Sequence, residues 1–318
     1  MDIVILGAGA LGSLFGAFLA PLANISLCCH SAAQARLVRG RGVVVHKMDG
    51  SVCTVPLAAC SSEDEAALPQ AAFDAAIVLV KAHATADAAR LAARLLRAHG
   101  MALTLQNGLG NREALAAQLG AARVLVGSTA QAATLLGTSE VRHAGAGETV
   151  LAPQGAAQQA CAEQLVALFT RAGMACSLTA DAEALLWSKL LVNAAINPLG
   201  ALLRVPNGAL AEREECRVLM AQVLEEACAV ARALDVALPD AGEGGQLARV
   251  LGVCQRTAGN RCSMLQDVLR ARATEIDAIS GAVARLGAAR GVPTPLNAAL
   301  AALVRACSAT AAACVQRV

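Results

Sequence analysis

The sequence predicts an α/β N-terminal domain with a doubly wound, mostly parallel sheet over residues 1–180, followed by an all-helical domain over residues 181–318. Three observations carry this. Short apolar runs bounded by glycine alternate with helical stretches through the first half. Strand signals stop after about Ala180. A chain of 318 residues also suits two domains.

Taken in order, Ile3-Val4-Ile5-Leu6 reads as a buried parallel strand ended by glycine, and Leu11 to Leu22 as a helix. Ile25 to Cys29 is a second strand. Val43-Val44-Val45 and Val52 to Val55 flank Asp49-Gly50, a hairpin signal. Ala75 to Val80 is the next buried strand, followed by a helical Ala/Leu/Arg segment to about His99. Met101 to Leu105, Arg112 to Leu119 and Val124 to Ser128 continue the alternation as strand, helix and strand. Residues 141 to 152 read as one extended piece, Ala156 to Ala172 as a helix and Ala175 to Leu178 as a short strand. The second domain is predicted as five helices: Glu183–Leu203, Ala209–Leu234, Gly245–Arg256, Met264–Arg290 and Pro295 to about Val315. The Ala-rich tail after Ala306 offers helix propensity and little else.

Composition narrows the function. Hydrophobic residues make up 56% and charged residues 16%, the balance of a globular chain. A net charge of +2 argues against nucleic acid or an anionic membrane as the main partner, and 2% aromatics argue against base stacking. The 12 cysteines are scattered through apolar stretches with no C-x-x-C pair and no metal-ligand spacing. They read as buried thiols of a cytoplasmic protein. The uncharged run from Ile3 to Cys29 is long enough to span a bilayer, but its glycines and Pro21 fit a buried strand–turn–helix–strand better.

Gly7-Ala8-Gly9-Ala10-Leu11-Gly12 follows a strand and opens a helix, the context in which G-x-G-x-x-G marks a Rossmann dinucleotide site. The first glycine permits the turn, the second lets backbone approach a pyrophosphate, and the third allows close helix–strand packing. A helix N-terminus adds amide donors for phosphate. An NAD site usually ends its second strand with Asp or Glu. Here that place reads Cys28-Cys29-His30-Ser31, with Arg36, Arg39 and Arg41 following. The reading favours NADP over NAD without excluding NAD.

In the second domain, Lys189, Asn193 and Asn197 are spaced i, i+4, i+8 in otherwise apolar surroundings. They share one helix face. An amine and two amides there need partners, which a small polar ligand would provide; the alternative is an exposed polar stripe, though such stripes usually carry several charges. Ser263-Met264-Leu265-Gln266 matches a capping box, with Ser263 as N-cap of a helix start that also suits a carboxylate. Glu275 is read as lying inside that same helix.

Together with Val80-Lys81-Ala82, Gln106-Asn107-Gly108-Leu109-Gly110, Ile196-Asn197-Pro198-Leu199, Pro206-Asn207-Gly208, Ser263-Met264-Leu265-Gln266-Asp267 and Thr274-Glu275-Ile276-Asp277, these motifs resemble, over nearly the whole chain, the ketopantoate reductase (2-dehydropantoate 2-reductase) family. The resemblance implies a Rossmann domain and a helical domain with substrate in the cleft between them, and NADPH-dependent reduction of a 2-keto acid on the way to pantothenate and coenzyme A. It implies Lys189 as catalytic lysine and proton donor, with Glu275 serving both that lysine and the cofactor. Asn107, Asn193, Asn197, Asn207 and Ser263 match substrate ligands. Gly7 through Gly12, His30, Lys81, Asn107 and the backbone at Ala133 match cofactor contacts. Three positions depart from the family pattern: His30 where Arg is common, Gly200 where Thr is common, and Ala209 where Glu is common. The first bears on the cofactor and the other two on the substrate. The alternatives are a reductase of another 2-keto acid and a dinucleotide-binding sensor without chemistry. A homodimer through the helical domain is compatible with the sequence.

Overall fold

The computed structural model describes residues 1–64, 68–239 and 244–315, with side chains to residue 308. The last three residues of the Ala-rich tail lie outside the described residues. The chain divides into two compact units, Met1–Gln106 with Asn111–Leu185, and Asn107–Gly110 with Leu186–Val318.

The first unit is built on an eight-stranded sheet. Its strands are β1 (Asp2–Leu6), β2 (Asn24–Cys29), β5 (Ala58–Ser61), β6 (Phe73–Val78), β7 (Leu96–Thr104), β8 (Val124–Thr129), β11 (Thr149–Ala152) and β12 (Cys176–Leu178). They lie in the order β12-β11-β8-β7-β6-β1-β2-β5. Every pairing is parallel except β11 with β8. Chain order runs outward from β1 in both directions, so β1 and β6 flank the switch point where α/β sheets place ligands. Because strand side chains alternate, Ile3 and Ile5 enter one core and Val4 and Leu6 the other. Helices α1 (Ala10–Leu19) and α5 (Ala156–Arg171) cover the first face. Helices α3 (Thr85–Leu95) and α4 (Asn111–Leu119) cover the second. The uncharged run from Ile3 to Cys29 is thus β1, α1 and β2. Helix α2 (Ala32–Arg41) follows β2.

Two expectations about this unit are corrected. The helix expected to reach His99 ends at Leu95, and β7 starts at Leu96. Arg97 explains the early switch: its guanidinium is held by Asp74 and by Asp2 at 2.8 Å, which ties it to the starts of β6 and β1. Local helix propensity yields to that ionic anchor and to strand pairing. Residues 141 to 152 are not one extended piece. They divide into β10 (Glu140–Gly145) and β11, which belong to different sheets. The second sheet has the order β4-β3-β10-β9, with β3 (Val43–His46), β4 (Val52–Val55) and β9 (Ala132–Gly137). The Asp49-Gly50 hairpin is its β3–β4 pair. Strands β9 and β10 pack on α1, where Phe18 meets the His143 ring edge-on.

The second unit is helical. Its central helix α6 (Ala182–Leu203) buries Trp187, Leu190, Leu191, Ala194 and Ala195 in one core. It continues through Pro198, which has no N–H to return to the carbonyl of Ala194. The run Ala209–Leu234 is two helices, α7 (Asn207–Glu212) and α8 (Glu214–Ala233), parted at the extended Arg213. Arg217 donates to the carbonyls of Ala211 and Glu212 and so caps α7, while Glu214 and Glu215 suit the first turn of α8. Helix α9 (Gly245–Arg256) follows. The run Met264–Arg290 is also broken. Helix α10 (Ser263–Leu269) stops, a short 3-10 turn covers Ile276–Ala278, and α11 (Ser280–Arg290) resumes. The amides of Ala271 and Arg272 turn back to Val268 and Asp267, with Ala271 at a φ of 50°. Helix α12 (Pro295–Val315) is capped by Glu226, which accepts from the amides of Leu296 and Asn297.

The loop between β1 and α1 separates two roles of its glycines. A Cβ on Gly12 would lie 1.8 Å from the carbonyl oxygen of Gly7, whereas one on Gly9 meets nothing within 4 Å. Gly12→Ala should therefore lower stability by about 3 kcal/mol or more, beyond ordinary overpacking. Gly9→Ala should leave the melting temperature unchanged and weaken dinucleotide binding. Thermal unfolding with and without nucleotide checks both.

Candidate active site

In the first unit the predicted cofactor residues Gly7 to Gly12, His30 and Lys81 follow the C-terminal ends of β1, β2 and β6, whereas Ala133 lies on the second sheet. The turn at Gly7 has a φ of 110°, where a Cβ would meet Val80 N at 2.8 Å. The amide of Gly7 is held by the carbonyl of Cys28. Helix α1 starts on Gly9 with no side-chain cap and no acidic residue in its first turn. Its first amides and the open space over Gly9 suit a pyrophosphate. Gln34 of α2 reaches back to the carbonyl of Ala8 at 3.0 Å and braces the loop. Lys81 opens a short 3-10 turn after β6. The Val80 carbonyl just before it accepts from Gln106 Nε2, which also reaches Thr85 Oγ1. Gln106 was legible in the Gln106-Asn107-Gly108 motif, but its bracing role shows only in the fold. Ala133 lies on β9, opposite His143.

His30 is exposed at the end of β2, and its carbonyl is held by the hydroxyls of Ser61 and Ser62. Sequence spacing missed a residue here. Glu63, arriving from β5, accepts from the amide of Ala32 at 3.0 Å. It sets a carboxylate at the start of α2, where β2 itself supplies none. Nothing in the local pattern announces it, because the contact spans 31 residues. Arg39 is engaged elsewhere, on the carbonyl of Ala59.

In the second unit, Lys189, Asn193 and Asn197 lie along α6 at the expected helical spacing. Glu275 is buried and sits beyond α10, at the head of the 3-10 turn, rather than inside a helix as expected. Ending α10 at Leu269 turns this carboxylate inward with buried Ile276. Asn107 Nδ2 donates to Glu275 Oε2 at 3.3 Å. The Asn107–Gly110 segment is fastened by the amide of Leu109, which donates to Ala278 at 2.9 Å. Gly108, at a φ of 83°, comes so close that a Cβ would lie 2.4 Å from that same carbonyl. Removal from water pulls the Lys189 ammonium down to about 8, with the Glu275 charge opposing the shift. Lys189 keeps part of its residue surface open, so desolvation falls mainly on its amine.

The capping expectation at Ser263 is also corrected. The N-cap of α10 is Cys262, whose Sγ accepts from Leu265 N at 3.4 Å, and Ser263 is the first helical residue and exposed. The Cys262 thiol also faces the Asn197 carbonyl at 3.6 Å. A Cβ on Gly200 would lie 3.1 Å from that sulfur, so Cys262 fills the room a larger residue at 200 would need. The thiol thus joins the start of α10, with Ser263, to the Asn197 turn of α6. Asn207 heads α7, with its amide Nδ2 on Thr257 Oγ1. Two polar atoms of this set are buried without a partner among the described residues, Asn193 Nδ2 and Asn207 Oδ1. Such orphans are uncommon and cost about 1–3 kcal/mol each, which a ligand of matching polarity recovers.

Comparison with known proteins agrees with this architecture. The family model described as ketopantoate reductase PanE/ApbA matches residues 3–155, and its C-terminal counterpart matches residues 181–308. A 2-dehydropantoate 2-reductase of Halobacterium salinarum is 36% identical over 96% of this chain and 98% of its own. Among solved structures, a D-mandelate dehydrogenase with NADH and anilino(oxo)acetate superposes with a TM-score of 0.89 at 25% identity, covering 98% of this chain and 99% of that one. A PanE/ApbA family ketopantoate reductase from Ralstonia eutropha gives a TM-score of 0.86 at 30% identity, with the same coverage. This chain belongs to the ketopantoate reductase family of dinucleotide-dependent oxidoreductases.

Proposed function

We propose that this protein reduces 2-dehydropantoate to pantoate with NADPH, serving pantothenate and coenzyme A synthesis, and that Lys189 is the proton donor. The observation that carries the reading is the desolvated Lys189 ammonium, on a helix face that also bears Asn193 and Asn197 and under the electrostatic influence of Glu275. The nicotinamide nucleotide, when bound, supplies the hydride that adds to the keto carbon. Negative charge then develops on the keto oxygen. An ammonium in a place with little water stabilises that charge and passes it a proton. A pKa near 8 makes Lys189 a far better acid at neutral pH than an ordinary lysine, while it stays mostly charged. The Glu275 charge opposes the fall in the Lys189 pKa. Asn107 fixes the carboxylate it serves. The Asn193 Nδ2 donor, left open by the protein, suits a keto or carboxylate oxygen. Ser263 and the start of α10 suit the substrate carboxylate.

On the cofactor side, Gly7 through Gly12 would hold the pyrophosphate, and His30, Lys81, Asn107, Ala133 and Glu275 would make the remaining contacts. NADPH is favoured because β2 ends without a carboxylate of its own and His30 and Arg36 stand nearby. Glu63 opposes that preference, since it sets a carboxylate at the start of α2, just past the end of β2, and a negative charge there would repel a 2′-phosphate. A D-mandelate dehydrogenase of the same fold was solved with NADH, which supports keeping NAD as the alternative nucleotide.

Three outcomes test this. Lys189→Ala should lower turnover by about 10²–10⁴ while nucleotide binding persists, the usual worth of a general acid; unchanged turnover removes Lys189 from the chemistry. In the wild type, reduction should decline as pH rises through about 8, because the donor is protonated only below that value, and oxidation of the hydroxy acid should rise over the same interval. Steady-state rates in both directions measure it. Glu63→Gln should raise the affinity for NADPH relative to NADH several-fold, read by nucleotide titration; a constant ratio places Glu63 outside nucleotide selection.

A further inference from the structure

The hydroxyl of Thr257 has one proton to give. Its oxygen lies 2.7 Å from the carbonyl of Val253, one turn back in α9, and that carbonyl can only accept. The proton is therefore committed. Asn207 Nδ2 lies 2.9 Å from the same hydroxyl oxygen, which has only acceptor capacity left. The amide must present its NH₂ side to Thr257, and this decides which way Asn207 faces. Oδ1 then points away, buried and without a donor among the described residues, on a residue only 8% exposed.

The backbone holds the same geometry. The amide of Asn207 donates to the carbonyl of Asn260 at 2.9 Å, and that of Gly208 to Ala258 at 3.0 Å. A Cβ on Gly208 would lie 2.8 Å from that of Ala258, so the head of α7 is pressed onto the end of α9. Asn207 and Asn193 thus offer opposite polarities. Asn193 leaves a donor open and Asn207 an acceptor. A plain 2-keto acid carries only acceptors when ionised, so it satisfies the first and not the second.

We propose that Thr257 is a positioning residue: by orienting the Asn207 amide it makes Oδ1 an acceptor for a hydroxyl of the keto acid, and so selects hydroxylated 2-keto acids over their deoxy analogues. This rests on the functional reading above. The test is steady-state kinetics of Thr257→Val and Thr257→Ser with 2-dehydropantoate and with 3,3-dimethyl-2-oxobutanoate, which has the same framework without the hydroxyl. The valine variant should raise KM for the hydroxylated acid about 3- to 10-fold, the worth of one hydrogen bond. Its kcat on both acids and its KM for the deoxy acid should stay as in the wild type. The serine variant should restore the wild-type values. Equal KM changes on both acids, or none on either, overturn the role of Thr257. If valine at 257 lowers the melting temperature, the serine variant and the wild-type ratio of KM between the two acids decide: a wild type that does not distinguish them overturns the proposal. A wild type that reduces neither acid instead overturns the functional reading on which it stands.

Discussion

The helical unit is organised around one ammonium and one carboxylate held where water is scarce. Desolvation draws the Lys189 ammonium down to about 8, and the Glu275 charge works against that fall. A buried pair of this kind is a poor source of stability, since its attraction barely offsets the cost of leaving water. Under the proposed mechanism its value lies in the proton it holds ready. Much of the surrounding fold serves to keep that carboxylate in place.

Bringing Glu275 inward requires helix α10 to stop at Leu269, against the helix preference of the residues that follow. Ala271 takes a left-handed conformation to close that end, and the 3-10 turn after Glu275 buries Ile276 in the core. The Asn107–Gly110 segment then docks on this turn through Leu109 and Ala278, placing the Asn107 amide on the carboxylate. Cys262 acts at the other end of α10, joining it to the Asn197 turn of α6 and occupying the space beside Gly200. The departure from the family pattern at Gly200 thus has a steric counterpart in this chain.

Some of this was legible in the sequence. The Gly7–Gly12 spacing follows from a strand–turn–helix geometry that is local, and the Lys189, Asn193, Asn197 face follows from helical periodicity. The broad α/β and helical division was legible for the same reason. What was not legible depends on distant contacts. The end of α3 is set by Arg97 meeting Asp2 and Asp74. The second sheet pairs strands nearly 100 residues apart, as β3 with β10 shows between Val45 and Val141. Glu275 could be tied to Lys189 only through family resemblance, because a lone carboxylate in a helix-favouring run carries no periodic signal. The sequence pattern points to Ser263 as the cap because serine is the better capping residue in general, whereas Cys262 takes the place through its tie to α6.

The central claim is that these parts make a reductase for 2-dehydropantoate. The most direct measurement is the rate of NADPH oxidation by the purified protein with 2-dehydropantoate, set against pyruvate and phenylglyoxylate under the same conditions. The account predicts a higher kcat/KM for 2-dehydropantoate than for either simple acid. Equal or better turnover of the simple acids, or nucleotide binding with no oxidation on any of them, would contradict it.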